Sequence, residues 1–186
     1  PDRETFVDLV TEGQPPAPSY FVYDAVLNRK ERPLLDENAP LAALDLDAVT
    51  ALVESGAFLL DGRSPEEFAH GHLAGAVNVG LAGRYAEFAG SVVPSDVDIV
   101  LVADPGFETE ARNRLGRIGF DRVVGHLADP LAVMAAHPER MSRASRLTVA
   151  EFERRRHEID GIQLVDIRNP GEVAIGTIEG AQPVPV

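Results

Sequence analysis

"LLDGRSPEEFAHGHLAGAVNV", residues 59–79, reads as a strand, a turn, a capped helix and a second strand. "AFLLD" (57–61) is a short apolar run bounded by Gly56 and Gly62, the length of a buried strand. Ser64, Pro65 and Glu67 mark a helix start. The serine hydroxyl accepts a backbone N–H, the proline takes a position that needs no donor, and the glutamate reaches back to the cap. "AVNVG" (76–80) is the next strand. The stretch returns as "LVDIRNPGEVAIGTIEGAQPV" (164–184), at a constant offset of 105 residues and without a gap. Asp61 matches Asp166, Arg63 matches Arg168, Pro65 matches Pro170, Glu67 matches Glu172, and Gly71 and Gly75 match Gly176 and Gly180. The helix ahead of it recurs too, "DLDAVTALVESG" against "RLTVAEFERRRHEID". A repeat of this length has to be settled before the fold is named.

Around the first copy the pattern alternates. Residues 46–55 read as a helix that starts near Asp45 or Asp47 and stops at Gly56. A helix is expected at 83–89, a strand at 98–103, a helix at 107–118 carrying Ala111, Leu115 and Ile118 on one face, and a strand at 122–125. Short strands alternating with helices predict an α/β fold with a parallel sheet covered on both faces. The second copy stops at Val186, before any counterpart of the strand at 98–103. One complete unit and the opening third of another are expected, and a longer natural protein with them.

Ahead of the repeat, "PDRETFVDLVTEG" is a short amphipathic helix with Phe6, Leu9 and Val10 on one side. "QPPAPSYFVYDAVLNRKERP" follows, whose prolines favour extended chain, and a linker around Glu37–Pro40 leads to the repeat.

Composition narrows the function. The formal charge of −13 disfavours nucleic acid and anionic membranes, which reward cationic surfaces. The run Arg154, Arg155, Arg156 reads as the solvated face of a helix. With no cysteine, disulfides, thiolate metal sites and thiol nucleophiles are excluded. No apolar run approaches a membrane span and no signal peptide opens the chain, so the cytoplasm is the expected compartment.

The spacing of Asp61, Arg63, Glu67, Phe68, Gly71, His72, Leu73, Gly75, Ala76 and Asn78 resembles the opening of a rhodanese domain, in which D-x-R follows a core strand and a capped helix ends in G-H-I-x-G-A-x-N. The resemblance covers about residues 42–136 and again 146–186. It implies a three-layer α/β fold with a five-stranded parallel sheet, and sulfur transfer through a cysteine persulfide. That cysteine opens a loop, C-R-x-G-x-R, at the end of the fourth strand. In this chain the loop is Asp104, Pro105, Gly106, Phe107, Glu108 and Thr109, with Asp104 in the nucleophile position. The family's arginines give way to Pro105 and Thr109, and Glu110 adds a further acid. "PPAPSYFVYDAVLNR" is similar to the closing segment of metallo-β-lactamase-fold hydrolases that carry rhodanese domains behind them, the persulfide dioxygenase-like and hydroxyacylglutathione hydrolase-like groups among them. Their H-x-H-x-D-H motif is absent, so their zinc or iron would lie in an upstream domain.

The expected organisation is therefore residues 1–40 as the remnant of an upstream domain plus linker, 41–140 as a complete degenerate rhodanese-like domain, and 146–186 as the opening of a second. A carboxylate cannot hold a transferable sulfur. Asp104 is expected instead to accept amides of its own loop, cap helix 107–118 and fill the anion pocket, leaving the loop vestigial. Asp61 and Arg63 are expected to pair structurally, as are Asp166 and Arg168, and His72 to orient the G-H turn. His70 and His72 lack further ligands in sequence, so no metal or other cofactor is expected in this chain. Tyr85 and Phe88 read as core or interface. The expected partners are an upstream metallo-hydrolase domain, the adjacent rhodanese unit, or a second copy in a homodimer. The alternative is a sulfurtransferase whose activity resides in the second rhodanese unit.

Overall fold

The structure is a computed structural model and describes residues 2–12, 20–27, 29 and 35–185, apart from the side chains at 22, 24 and 27. In chain order the helices and strands are α1 (Arg3–Thr11), α2 (Tyr20–Leu27), β1 (Ala43–Leu44), α3 (Leu46–Glu54), β2 (Phe58–Asp61), α4 (Pro65–His70), β3 (His72–Leu73), β4 (Val77–Asn78), α5 (Tyr85–Val92), β5 (Ile99–Val102), α6 (Glu108–Gly116), β6 (Val123–Leu127), α7 (Pro130–Ala136), β7 (Met141–Ser142), α8 (Val149–Arg155), β8 (Val165–Asp166), α9 (Pro170–Ile175) and β9 (Gln182–Pro183). Two compact units emerge, residues 18–146 and residues 1–17 with 147–186.

The larger unit holds a five-stranded sheet in the order β1-β6-β5-β2-β4, with every pairing parallel. Leu60 of β2 is opposite Val77 on one side and Leu101 on the other. Because side chains alternate across a strand, two cores form. Leu60, Ile99 and Leu101 pack with Tyr85 and Ala89 of α5 and with Ala111 and Leu115 of α6. Leu59, Val100 and Val102 pack with Val49 of α3 and Met134 of α7. β5 is buried on both faces along its whole length, as a central parallel strand should be.

Local chemistry sets the boundaries. Asp45 caps α3 by accepting the Ala48 N–H, and Gly56 takes a left-handed φ of +102° just past its end. Ser64 and Glu67 form the full capping box of α4. α2 departs from the expected extended chain. Pro15, Pro16 and Pro18, outside the described residues, all precede Tyr20, and the segment 20–27 has no proline to stop a helix. Tyr20 and Tyr23 pack against the α5–α6 core.

In the smaller unit, Asp2 caps α1. Phe6 and Leu9, the expected apolar face, remain more than half exposed. β8 pairs with β9 through Val165↔Gln182, which is Leu60↔Val77 moved along by the same 105 residues. Among the described residues β8 has no second neighbour, and Val165 is 53% exposed where Leu60 is fully buried.

Candidate functional site

The site lies where β5 empties into α6. Ala103, still buried, hands the chain to Asp104, and the Asp104 carbonyl accepts the Phe107 N–H at 3.0 Å to close a turn. Gly106 has φ +90°, a conformation that glycine adopts without strain. α6 begins at Glu108 with Phe107 in the cap position, and no side chain caps it.

This corrects the expectation for Asp104. A capping side chain bonds amides two or three residues ahead of it in the first turn. The turn places Asp104 three residues before the cap, too early to reach the helix. The loop amide of Gly106 instead donates to Glu108 Oε2 at 2.9 Å. Asp104 is half-buried and takes no hydrogen bond from its loop. Burial raises its carboxyl above the ordinary range, the negative charge of Glu67 adds to this, and Arg63 offsets only part of it.

Nor does Asp104 fill the space beside it. A cavity of about 510 Å³ opens between the turns after β2, β4 and β5, lined by Gly62, Ser64, Leu81, Asp104, Phe107 and Arg114 among others. The Arg114 guanidinium donates to the carbonyls of Leu81 and Gly83, lies 3.6 Å from Glu110 and sits over the Tyr85 ring. Arg63 is committed as well. It is 2% exposed and makes a two-pronged pair with the fully buried Asp61, Nη2 to Oδ2 at 2.6 Å and Nε to Oδ1 at 3.0 Å. Its Nη2 also reaches the Gly71 carbonyl at 3.0 Å. Arg63 and Arg114 thus hold Asp61 and loop carbonyls in place.

The second copy repeats this arrangement. Arg168 meets Asp166 at 2.6 and 2.9 Å and the Gly176 carbonyl at 2.8 Å. Hydrogen bonds from Arg168 and then Thr177 hold the Asp166 carboxyl far below its usual range. His72 and Thr177 occupy matched positions but act differently. His72 stacks on Phe68 and its Nδ1 lies 2.7 Å from the Phe68 carbonyl, whereas the Thr177 hydroxyl donates to Asp166 at 2.8 Å. His70 Nδ1 contacts the Glu66 carbonyl at 2.7 Å. Among the described residues no three His, Asp or Glu side chains gather as a metal site would need.

Glu108 and Asn78 are named in the sequence reading without their contacts, and Arg114 is missed there. All three act on main-chain groups, which no side-chain pattern announces. Asn78 donates to the carbonyls of Asp61 and Arg63, both at 2.9 Å, tying β4 to the D-x-R turn. Tyr85 is fully buried, its hydroxyl has no hydrogen-bond partner among the described residues, and burial pushes its pKa well above the ordinary value.

Comparison with known proteins agrees with this architecture. The rhodanese-like domain family matches residues 45–129. No curated protein matches the chain. Among solved structures, a metallo-β-lactamase from Staphylococcus aureus subsp. aureus COL is similar at 23% identity and TM-score 0.56, over 68% of this chain and 35% of that one. An anaerobic ergothioneine biosynthesis enzyme from Chlorobium limicola is similar at 18% identity and TM-score 0.50, over 78% and 41%. A thiosulfate sulfurtransferase from Pseudomonas aeruginosa matches at 17% identity and TM-score 0.44, over 78% and 34%. This chain therefore spans about a third of the length of the first of these structures. No helix of the described residues is long and apolar enough to cross a membrane. Residues 45–129 are a rhodanese-like domain, built on a five-stranded parallel sheet flanked by helices.

Proposed function

We propose that the domain at residues 45–129 is a catalytically inactive rhodanese-like module that acts through structure, interaction or regulation within a metallo-β-lactamase-fold hydrolase fusion linked to sulfur metabolism. One observation carries this reading: Asp104 stands at the head of the loop between β5 and α6, where sulfur transfer needs a thiolate. The surrounding electrostatics support it. Glu67, Asp104, Glu108 and Glu110 gather at the loop, while Arg63 and Arg114 are held by Asp61 and by carbonyls. The fusion is supported by the similarity of this chain to part of a protein described as a metallo-β-lactamase. The metal of such a parent, zinc or iron, would belong to an upstream domain. The proposed partners are that domain, the adjacent rhodanese unit, or a second copy.

The test is sulfur transfer from thiosulfate to cyanide by this chain. The expected rate equals that of a heat-killed control, and turnover above it rejects the reading. A second reading, sulfur transfer by the second rhodanese unit, is favoured by the faithful recurrence of the Asp–Arg–glycine arrangement at Asp166, Arg168 and Gly176. It requires a cysteine at the head of that unit's counterpart of the β5–α6 loop.

A further inference from the structure

Arg112 lies in the middle of α6 and is only 7% exposed. A buried guanidinium ordinarily meets a carboxylate. Here its donors go to main-chain carbonyls of a remote segment: Nη1 to Ala39 at 2.5 Å, and Nη2 to Glu37 at 3.0 Å and Asp36 at 3.2 Å. Nε and Nη2 also donate to Asn113 Oδ1, and Asn113 Nδ2 donates to the same Glu37 carbonyl at 2.9 Å. Arg117 adds a longer contact to the Glu37 carboxylate at 3.4 Å. The segment is folded to suit. Asp36 accepts the Asn38 N–H at its side chain and the Ala39 N–H at its carbonyl, which turns three carbonyls towards one guanidinium.

Two glycines make room for the chain ahead of the domain. A Cβ on Gly116 would fall 2.3 Å from Leu35 Cδ2, so Leu35 sits directly on the bare backbone of α6. A Cβ on Gly90 would fall 2.5 Å from Tyr20 Cδ1, and the Tyr23 ring packs edge-on against Phe120 at 5.8 Å. Residues 20–27 and 35–39 thus each have a seat on the domain, one beside α5 and one along α6.

We propose that the α6 face built by Arg112, Asn113 and Gly116 is a docking surface for the chain's own residues 35–39. They form an anchored strap, and Arg112 acts by reading three carbonyls at once. The stretch read from sequence as a linker is part of the domain. α6 also begins at the loop that holds Asp104, so one helix carries the vestigial loop at one end and the strap along its side. The anchor stands independently of the proposed function. If a hydrolase domain precedes residue 20, the strap is what fixes it to this module.

Glu37 lies inside the strap, so cleavage by a glutamate-specific protease reports on docking. The measurement is the cleavage rate at Glu37 in the whole chain, normalised to exposed Glu158, with thermal unfolding followed in parallel. Arg112→Ala is expected to speed cleavage at Glu37 by roughly tenfold or more while unfolding remains cooperative, as local opening does. Arg112→Lys, a single point charge in place of a fork, is expected to release the strap nearly as much. Gly116→Val displaces Leu35 and leaves Arg112 in place, so it covers the case in which loss of the arginine prevents folding. It too is expected to speed cleavage. Unchanged cleavage in folded Arg112→Ala, or in Gly116→Val where Arg112→Ala does not fold, overturns the docking. Full protection in Arg112→Lys overturns the carbonyl-reading role of the guanidinium.

Discussion

Asp104 is held at a cost, and the sign of that cost can be measured. Its carboxyl titrates above the ordinary 3.8 because burial and Glu67 disfavour the anion. An acid whose folded pKa is raised binds its proton more tightly in the folded state, so its ionisation works against folding. The penalty is absent below the ordinary carboxyl range, grows as pH rises through it, and is complete above the raised folded value. Asp104→Asn is therefore expected to raise the melting temperature at pH 7, with the gain vanishing by about pH 3. A lower melting temperature at pH 7 would restore the capping role that residue type and position had suggested. That role was legible in principle, since an aspartate ahead of a helix is a good cap. What the sequence hid was the turn closed by the Asp104 carbonyl on the Phe107 N–H, which puts the carboxylate too early in the chain.

Among the elements, the strand–turn–helix from β2 to α4 was readable almost residue by residue. Its devices are local: Ser64 and Glu67 three apart, Pro65 between them, and Asp61 and Arg63 two apart across the turn. α2 was not readable, because the prolines nearby outweighed a short apolar helix whose reason to form is tertiary, the seat of Tyr20 and Tyr23 on the core. The two copies of the Asp–Arg pair allow a controlled comparison. Asp61→Asn leaves Arg63 charged and 2% exposed, so it is expected to destabilise the domain by about 3–5 kcal/mol in chemical denaturation. Asp166→Asn faces an arginine 44% exposed to water and is expected to change stability far less. Equal losses would show that the buried pair is not the stronger constraint. Likewise Leu60→Ala, at a fully buried position, is expected to cost about 2–5 kcal/mol, well above Val165→Ala at the matched but exposed position.

For the molecule as a whole, the chemistry of the loop and its surroundings points one way. Asp104 puts a carboxylate at the head of the loop, Pro105 offers no amide donor, Glu108 occupies the Gly106 amide, and Arg114 is bonded to the carbonyls of Leu81 and Gly83. The cavity beside the loop remains open, so access is not what is missing. The fold class and the repeat were visible in the chain because alternation and a fixed offset are properties of sequence. The strap on Arg112 was not, because a guanidinium that reads carbonyls leaves no partner residue to find 73 positions away. The central claim is that the whole loop has lost sulfur transfer, not one residue of it. Its most direct test is the thiosulfate-to-cyanide rate of Asp104→Cys beside the unaltered chain. The account predicts that neither exceeds the heat-killed control, because a lone thiol at residue 104 would sit near the negative charge of Glu67, with the nearby Arg63 committed to Asp61. Robust turnover by Asp104→Cys would contradict it and show that the loop is still a working sulfur site in need of a thiol alone.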